Sequence, residues 1–241
     1  MIIGGLEKLT LLDYPDHLAA IIFTQGCNFR CHFCYNPLLV MPLQGGDEKN
    51  KKEKGFSPLS LKNLFLFLSE RFGRLEGVVI TGGEPTLHPD LPSFIKKIKK
   101  IGYLVKLDTN GTNPDMLAGL IKDKLIDYIA MDIKAPLARY SEVVGVAADC
   151  KNIEKSVKMI INSGLPYEFR TTVVPGLLNK PDFEEMGGLI KGAKEWYLQN
   201  FKSDTGLVDD NFEEKPGYTA KEMAEFAAIG QKYVDLCEVR G

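Results

Sequence analysis

Six short apolar, β-rich runs, each succeeded by a stretch with helical spacing, constrain this chain more than any other feature. The runs are LAAIIFT (18–24), GVVIT (77–81), YLVKLDT (103–109), DYIAMDI (127–133), YEFRTTVV (167–174) and KEWYLQNF (194–201). Helical spacing follows at 60–73, 88–102, 110–124, near 151–163, near 182–192, and in TAKEMAEFAAIGQKYV at 219–234. Gly73 and Gly102 stand where helices stop, Asp90 and Asn113 where they are capped, and Pro114 suits a first helical position. Strand-then-helix repetition predicts an α/β fold with a parallel sheet and right-handed crossovers. Eight units close a barrel; six predict a partial (β/α)6 barrel of TIM-like type, open at one side. At 241 residues the chain is expected to form a single domain, 1–241. Two polar stretches interrupt the rhythm at about 44–58 and 203–218, and both read as solvated loops on the rim where the strands end.

Charge and hydropathy exclude several functions. The formal net charge is −2, which gives no basic footprint for nucleic acid. No apolar run approaches the ~20 residues that cross a bilayer. The start, MIIGGLEKL, lacks the basic-then-apolar layout of a signal peptide. The expected location is cytoplasmic, where disulfides are rare and clustered cysteines point to metal or redox chemistry.

Three of the five cysteines lie within eight positions, as Cys27-x3-Cys31-x2-Cys34 in GCNFRCHFCYNP. Structural zinc asks for four protein ligands in a closed tetrahedron. Cys150 and Cys237 are far away in sequence, although His32 or His88 could contribute. A redox dithiol in Cys31-His32-Phe33-Cys34 is a further reading. Four cysteines are usual for a [4Fe–4S] cluster that only carries electrons. Three leave one iron open to a substrate or cofactor.

The cysteines follow the first run directly, and polar residues stand at the carboxyl end of nearly every later one. They are Gly82-Gly83-Glu84-Pro85, then Asp108-Thr109-Asn110, then Asp132 and Lys134, then Arg170. Active sites of α/β barrels gather at that end. Alternation puts Lys106 with Asp108, and Asp132 with Lys134, on common faces. Each has a plain alternative. Gly82-Gly83 could be a simple turn, Asp108-Thr109-Asn110-Gly111 a turn closed by its own side chains, and Lys134 and Arg170 surface charges. Cys150 and Cys237 read as small buried hydrophobes, and His17, His32 and His88 as structural or exposed.

With Phe33 just before its last cysteine, the three-cysteine loop resembles the signature of the radical S-adenosylmethionine superfamily. ITGGEPTL resembles the Gly-Gly-Glu motif of that family. LEKLTLLDYPDHLAAIIFTQGCNFRC, VKLDTNG, AMDIKAPL and EFRTTVVPG resemble the activating enzymes of glycyl radical enzymes, in particular the anaerobic ribonucleoside-triphosphate reductase activating type, a near relative of the pyruvate formate-lyase activating type. One departure from the pyruvate formate-lyase type is Tyr35, which stands before Asn36 where many activators have His.

The resemblance implies that Cys27, Cys31 and Cys34 hold three irons of a [4Fe–4S] cluster while S-adenosylmethionine fills the fourth iron. It implies Phe33 against adenine, Gly82, Gly83 and Glu84 at the methionine end, and Lys134 and Arg170 at the carboxylate or ribose. Asn110 and Gln199 are implied as ribose or adenine contacts. Asp108, Thr109, Met131 (through its carbonyl) and Asp132 match a monovalent cation site. An electron from flavodoxin or ferredoxin would cleave the cofactor to methionine and a 5′-deoxyadenosyl radical, which passes to a glycine of a partner enzyme. Catalysis then needs no residue beyond cluster and cofactor. Two other readings stay open at this point: a small-molecule radical enzyme such as 7-carboxy-7-deazaguanine synthase, and a non-catalytic iron–sulfur or zinc module.

Overall fold

The computed structural model describes residues 1–40, 58–203 and 206–240. The polar stretch at 44–58 lies outside the described residues apart from Pro58. The chain divides into two compact units. The first comprises Met1–Asn28, Leu38–Thr109 and Asp115–Ile129; the second comprises Phe29–Pro37, Asn110–Pro114 and Ala130–Gly241.

In the first unit, β1 (Ile3–Thr10) pairs antiparallel with β2 (Ala19–Thr24). Strand β2 then pairs parallel with β3 (Gly77–Gly82), and β3 parallel with β4 (Leu104–Thr109). These are the first three expected runs, and β1 is an addition to them. Its sequence IGGLEKLT has no apolar run, and Glu7, Lys8 and Leu9 are exposed. Helix α1 (Leu61–Arg71) buries Leu64 and Leu68, and α2 (Leu91–Ile101) buries Leu91, Phe94, Ile95 and Ile98, the i, i+3, i+4, i+7 stripe of a sheet-covering helix. Gly102 ends α2 at φ 115, a left-handed conformation that costs glycine little. Asp90 occupies the N-cap position of α2 without a side-chain cap bond, and Phe72 rather than Gly73 is the C-cap of α1. Helix α3 (Pro114–Lys122) begins at its proline as expected. Tyr14, Ala19, Ile21, Val79 and Tyr128 pack into one buried cluster.

Strand β5 (Tyr128–Asp132) runs through the division of the chain. In the second unit, β6 (Tyr167–Val173), β7 (Glu195–Asn200) and β8 (Leu236–Val239) pair parallel in that order. Strand β8 is the second addition to the six expected runs. Helix α4 (Cys150–Ile161) is capped by Asp149, α5 (Lys180–Leu189) by a capping box from Asn179 and Asp182, and α6 (Ala220–Gly230) by one from Thr219 and Glu222. Trp196 is among the largest fully buried side chains of this unit. Its ring stacks on Phe183 at 5.5 Å, and its Nε1–H donates to Thr171 Oγ1 at 2.9 Å.

Candidate active site

In the first unit, β2 hands directly to Gln25-Gly26-Cys27, and its neighbour β3 ends level with it, Thr24 facing Gly82. Two backbone bonds tie the strand ends together: Gly83 N–H donates to Thr24 O at 2.9 Å, and Glu84 N–H to Gly26 O at 2.8 Å. A Cβ at Gly82, where φ is +116, would stand 2.2 Å from Thr24 N, and one at Gly83 2.0 Å from Gly26 O. The need for glycine at both positions therefore arises inside the chain, from backbone packed against the approach to Cys27.

Glu84 is 1% exposed and caps the 3-10 turn Pro85–Leu87. Its Oε1 accepts from Thr86 N–H at 3.0 Å, Thr86 Oγ1 at 2.5 Å and Thr109 Oγ1 at 2.8 Å. The carboxylate is thus held rigidly at the strand ends before anything binds it. Asp108 and Lys106 do share a face, with Nζ 3.9 Å from Oδ1. Lys106 is itself buried, donates to Asp13 O at 2.6 Å and lies 5.1 Å from the Tyr128 ring centre.

The second unit holds the other two cysteines. Arg30 N–H donates to Val144 O at 2.8 Å, and at Gly145 (φ +69) a Cβ would stand 2.5 Å from Arg30 O. Cys34 N–H closes a turn onto Cys31 O at 3.1 Å. Cys31 is buried and Cys34 half-buried, and none of the five cysteines is in a disulfide. Burial pushes the Cys31 thiol up to about 11, against the pull of the Lys134 ammonium. Phe33 is buried, with Lys134 Nζ 6.0 Å from its ring centre.

Asp132, Lys134 and Arg170 come together as a triad. Asp132 accepts from Lys134 Nζ at 3.2 Å and from Arg170 Nε at 2.9 Å. Burial works to raise the Asp132 carboxyl, and the two cations overcome it, holding it down at about 2. Burial likewise works to lower Lys134, and Asp132 more than offsets this, so its ammonium is held firmly charged. The Asp132 side chain is 31% exposed, so water screens part of this field. Tyr140 braces the pair: its hydroxyl accepts from Lys134 N–H at 3.3 Å and donates to Asp132 O at 3.4 Å.

The remaining expected residues have the following contacts within their own units. Asn110 Oδ1 accepts from Thr112 N–H at 3.0 Å and Thr112 Oγ1 at 2.7 Å, the local turn that was the plain alternative. Gln199 sits on β7 opposite Thr172, and its side chain makes no hydrogen bond among the described residues. Of the four cation-site residues, Thr109 bonds Glu84 and Asp132 bonds Arg170 and Lys134. Met131 packs its side chain beneath Gly111. Among the described residues, no three His, Cys, Asp or Glu side chains group as ligands of a single metal ion.

One contact was not legible in the sequence. His32 Nδ1 lies 2.9 Å from Asp209 Oδ2, Asp209 N–H donates to His32 O at 3.2 Å, and the imidazole stacks on Phe212 at 5.7 Å. The acidic stretch near 209 is thereby fastened to the cysteine loop. A partner 177 residues away leaves no periodic or spacing signal.

Comparison with known proteins gives consistent findings. A family profile described as the Radical SAM superfamily matches residues 21–190. A Methanocaldococcus jannaschii protein, provisionally named a glycyl-radical enzyme activating enzyme, is 31% identical, over 99% of this chain and 95% of that protein. The pyruvate formate-lyase-activating enzyme of Clostridium pasteurianum is 28% identical over 80% of this chain and 77% of its own length. Among solved structures, Streptococcus suis SuiB bound to S-adenosylmethionine shares the fold with a TM-score of 0.63 at 16% identity, covering 92% of this chain and 50% of that one.

Proposed function

This chain belongs to the radical SAM superfamily, and within it we propose that it generates a glycyl radical on a partner enzyme, with anaerobic ribonucleoside-triphosphate reductase as the favoured partner. A [4Fe–4S] cluster and S-adenosylmethionine are its cofactors, and when bound they would supply a 5′-deoxyadenosyl radical by reductive cleavage. The protein's contribution is to bind, orient and shield.

The residues present fit the cluster. Three thiols unengaged in disulfides stand on one loop fixed by backbone bonds near each end. Thiolates are the usual protein ligands of such a cluster. Cys27, Cys31 and Cys34 would hold it.

The cofactor assignment is supported within each unit separately, by a preset charge at its strands. Glu84 is a buried carboxylate suited to an ammonium group. The Lys134 and Arg170 cations, aligned by Asp132, suit a carboxylate or ribose hydroxyls. Phe33, beside Lys134, offers an apolar face to adenine. Flavodoxin or ferredoxin is the electron donor on this reading. Similarity over nearly the whole chain to a protein bearing the activating-enzyme name supports the partner class.

The test is anaerobic incubation with reductant, S-adenosylmethionine and the host's anaerobic ribonucleoside-triphosphate reductase, read by electron paramagnetic resonance. A persistent doublet, lost when the acceptor glycine becomes alanine, is the expected result. Silence with that reductase, alongside a doublet on another glycyl radical enzyme, replaces the partner; silence with all of them overturns the activase reading.

A further inference from the structure

Five charged side chains of the second unit alternate in sign: Lys134, Asp132, Arg170, Glu168 and Arg240. Their spacings are uneven, and the unevenness is informative. Arg170 Nε is 2.9 Å from Asp132, whereas its Nη1 is 4.0 Å from Glu168 Oε1. Arg240 Nη1 donates to Glu168 Oε2 at 2.8 Å. The Glu168 side chain is 0% exposed, so its charge requires cations close by. Glu168 and Arg170 are two residues apart on β6 and share a face. Arg240 is held in place from two sides: its N–H donates to Leu198 O at 2.9 Å, and its guanidinium lies 3.5 Å over the Tyr197 ring. A planar guanidinium can stack in this way while forking to a carboxylate; an ammonium cannot.

We infer that Arg240 is a positioning residue for the cofactor pocket. By engaging Glu168 closely, it leaves Arg170 aligned on Asp132, and so sets the cation presented at the strand ends. Without Arg240, the buried Glu168 charge draws Arg170 toward itself and away from Asp132. The inference rests on the reading above, in which Arg170 serves S-adenosylmethionine.

The experiment measures S-adenosylmethionine binding by equilibrium dialysis on the cluster-reconstituted protein, with thermal midpoints recorded for every variant. Arg240→Ala is expected to weaken binding about tenfold, the loss of one well-placed charged contact. Arg240→Lys keeps the charge but loses the planar stack on Tyr197, and falls in between. Adding Glu168→Gln to Arg240→Ala removes the pull on Arg170 and should restore binding to within about threefold of wild type. A general loss of packing would not be rescued in this way. Wild-type binding in Arg240→Ala, together with weakened binding in Arg170→Ala, overturns the inference and leaves the pocket assignment standing. Unchanged binding in Arg170→Ala overturns the pocket assignment and the inference with it. If Arg240→Ala does not fold, wild-type binding in Arg240→Lys is the overturning result.

Discussion

Cys31 shows how one residue joins the fold to the chemistry. Its thiol is buried and pushed up by that burial to about 11 against the pull of Lys134, so on the proposed reading the thiolate that binds a cluster iron would have a stabilising cation nearby. Cys27→Ser, Cys31→Ser and Cys34→Ser are each expected to abolish the roughly four irons per chain of the reconstituted protein. Cys150→Ser and Cys237→Ser should retain them. Cys237 is packed against Gly230 and pushed up to about 12 by burial, and the Cys150 thiol faces the Leu137 carbonyl. Iron analysis decides, and iron retained in Cys31→Ser would contradict the ligand assignment. The cysteine spacing is local in sequence, so the proposed ligands could be picked out from it alone. The support of Glu84 could not, because Thr109 lies 25 residues away. That support makes Glu84→Gln the informative variant: it preserves an acceptor for Thr86 and Thr109 while removing the charge. Binding of S-adenosylmethionine should fall roughly ten- to a hundredfold, about 1.5–3 kcal/mol, with little change in thermal midpoint. Equal affinity for both proteins would remove Glu84 from the pocket.

Elements were read from the sequence where their signal was periodic, and missed where it was not. Strands β2 to β7 announced themselves as apolar runs with β-branched and aromatic residues. Strand β1 carries two glycines and an exposed Glu-Lys pair, and β8 is four residues long, so neither gives a countable pattern. Helix caps were half legible: Gly102 needs its left-handed backbone, but Asp90 reached no cap bond because a side chain's direction is settled by tertiary neighbours. The strand-end turn gives a sharp contrast between glycines. Gly83→Ala drives a methyl into the Gly26 carbonyl, where backbone cannot yield cheaply, and should cost about 1–3 kcal/mol or prevent folding. Gly119→Ala, inside α3 with nothing within 4 Å of the added carbon, should stabilise by about 0.5–1 kcal/mol. Urea midpoints of the two variants test this pair of signs.

The turn after β3 also contributes a pH dependence. His88 follows the turn Pro85–Leu87, is buried, and sets Nε2 3.0 Å from Gln25 O. Burial lowers its affinity for a proton below that of an unfolded histidine, whose pKa is about 6.5. The unfolded chain therefore binds more protons, so this contribution to stability is complete above about pH 6.5 and declines as pH falls below it. Urea unfolding at pH 7.5 and 5.5 should show a smaller difference for His88→Gln than for wild type. Equal slopes would contradict the assignment.

At the scale of the molecule, the parallel pairing of strands and the location of charge at their carboxyl ends were legible because both follow from chain order. The alternating charges from Lys134 to Arg240, the Tyr140 brace and the His32–Asp209 fastening were not. Each joins residues through tertiary contacts that leave no mark on composition or spacing. No helix among the described residues is long and apolar enough to cross a membrane. The chain belongs to the radical SAM superfamily, and the central proposal is that it cleaves S-adenosylmethionine reductively on a cluster held by the three-cysteine loop. The most direct test is chromatography of an anaerobic reaction containing reconstituted protein, a strong reductant and S-adenosylmethionine. Wild type should release methionine and 5′-deoxyadenosine in equal amounts, and Cys31→Ser should release neither. A wild-type protein that holds its irons and binds S-adenosylmethionine yet forms no 5′-deoxyadenosine, with or without the proposed partner enzyme, would contradict the account.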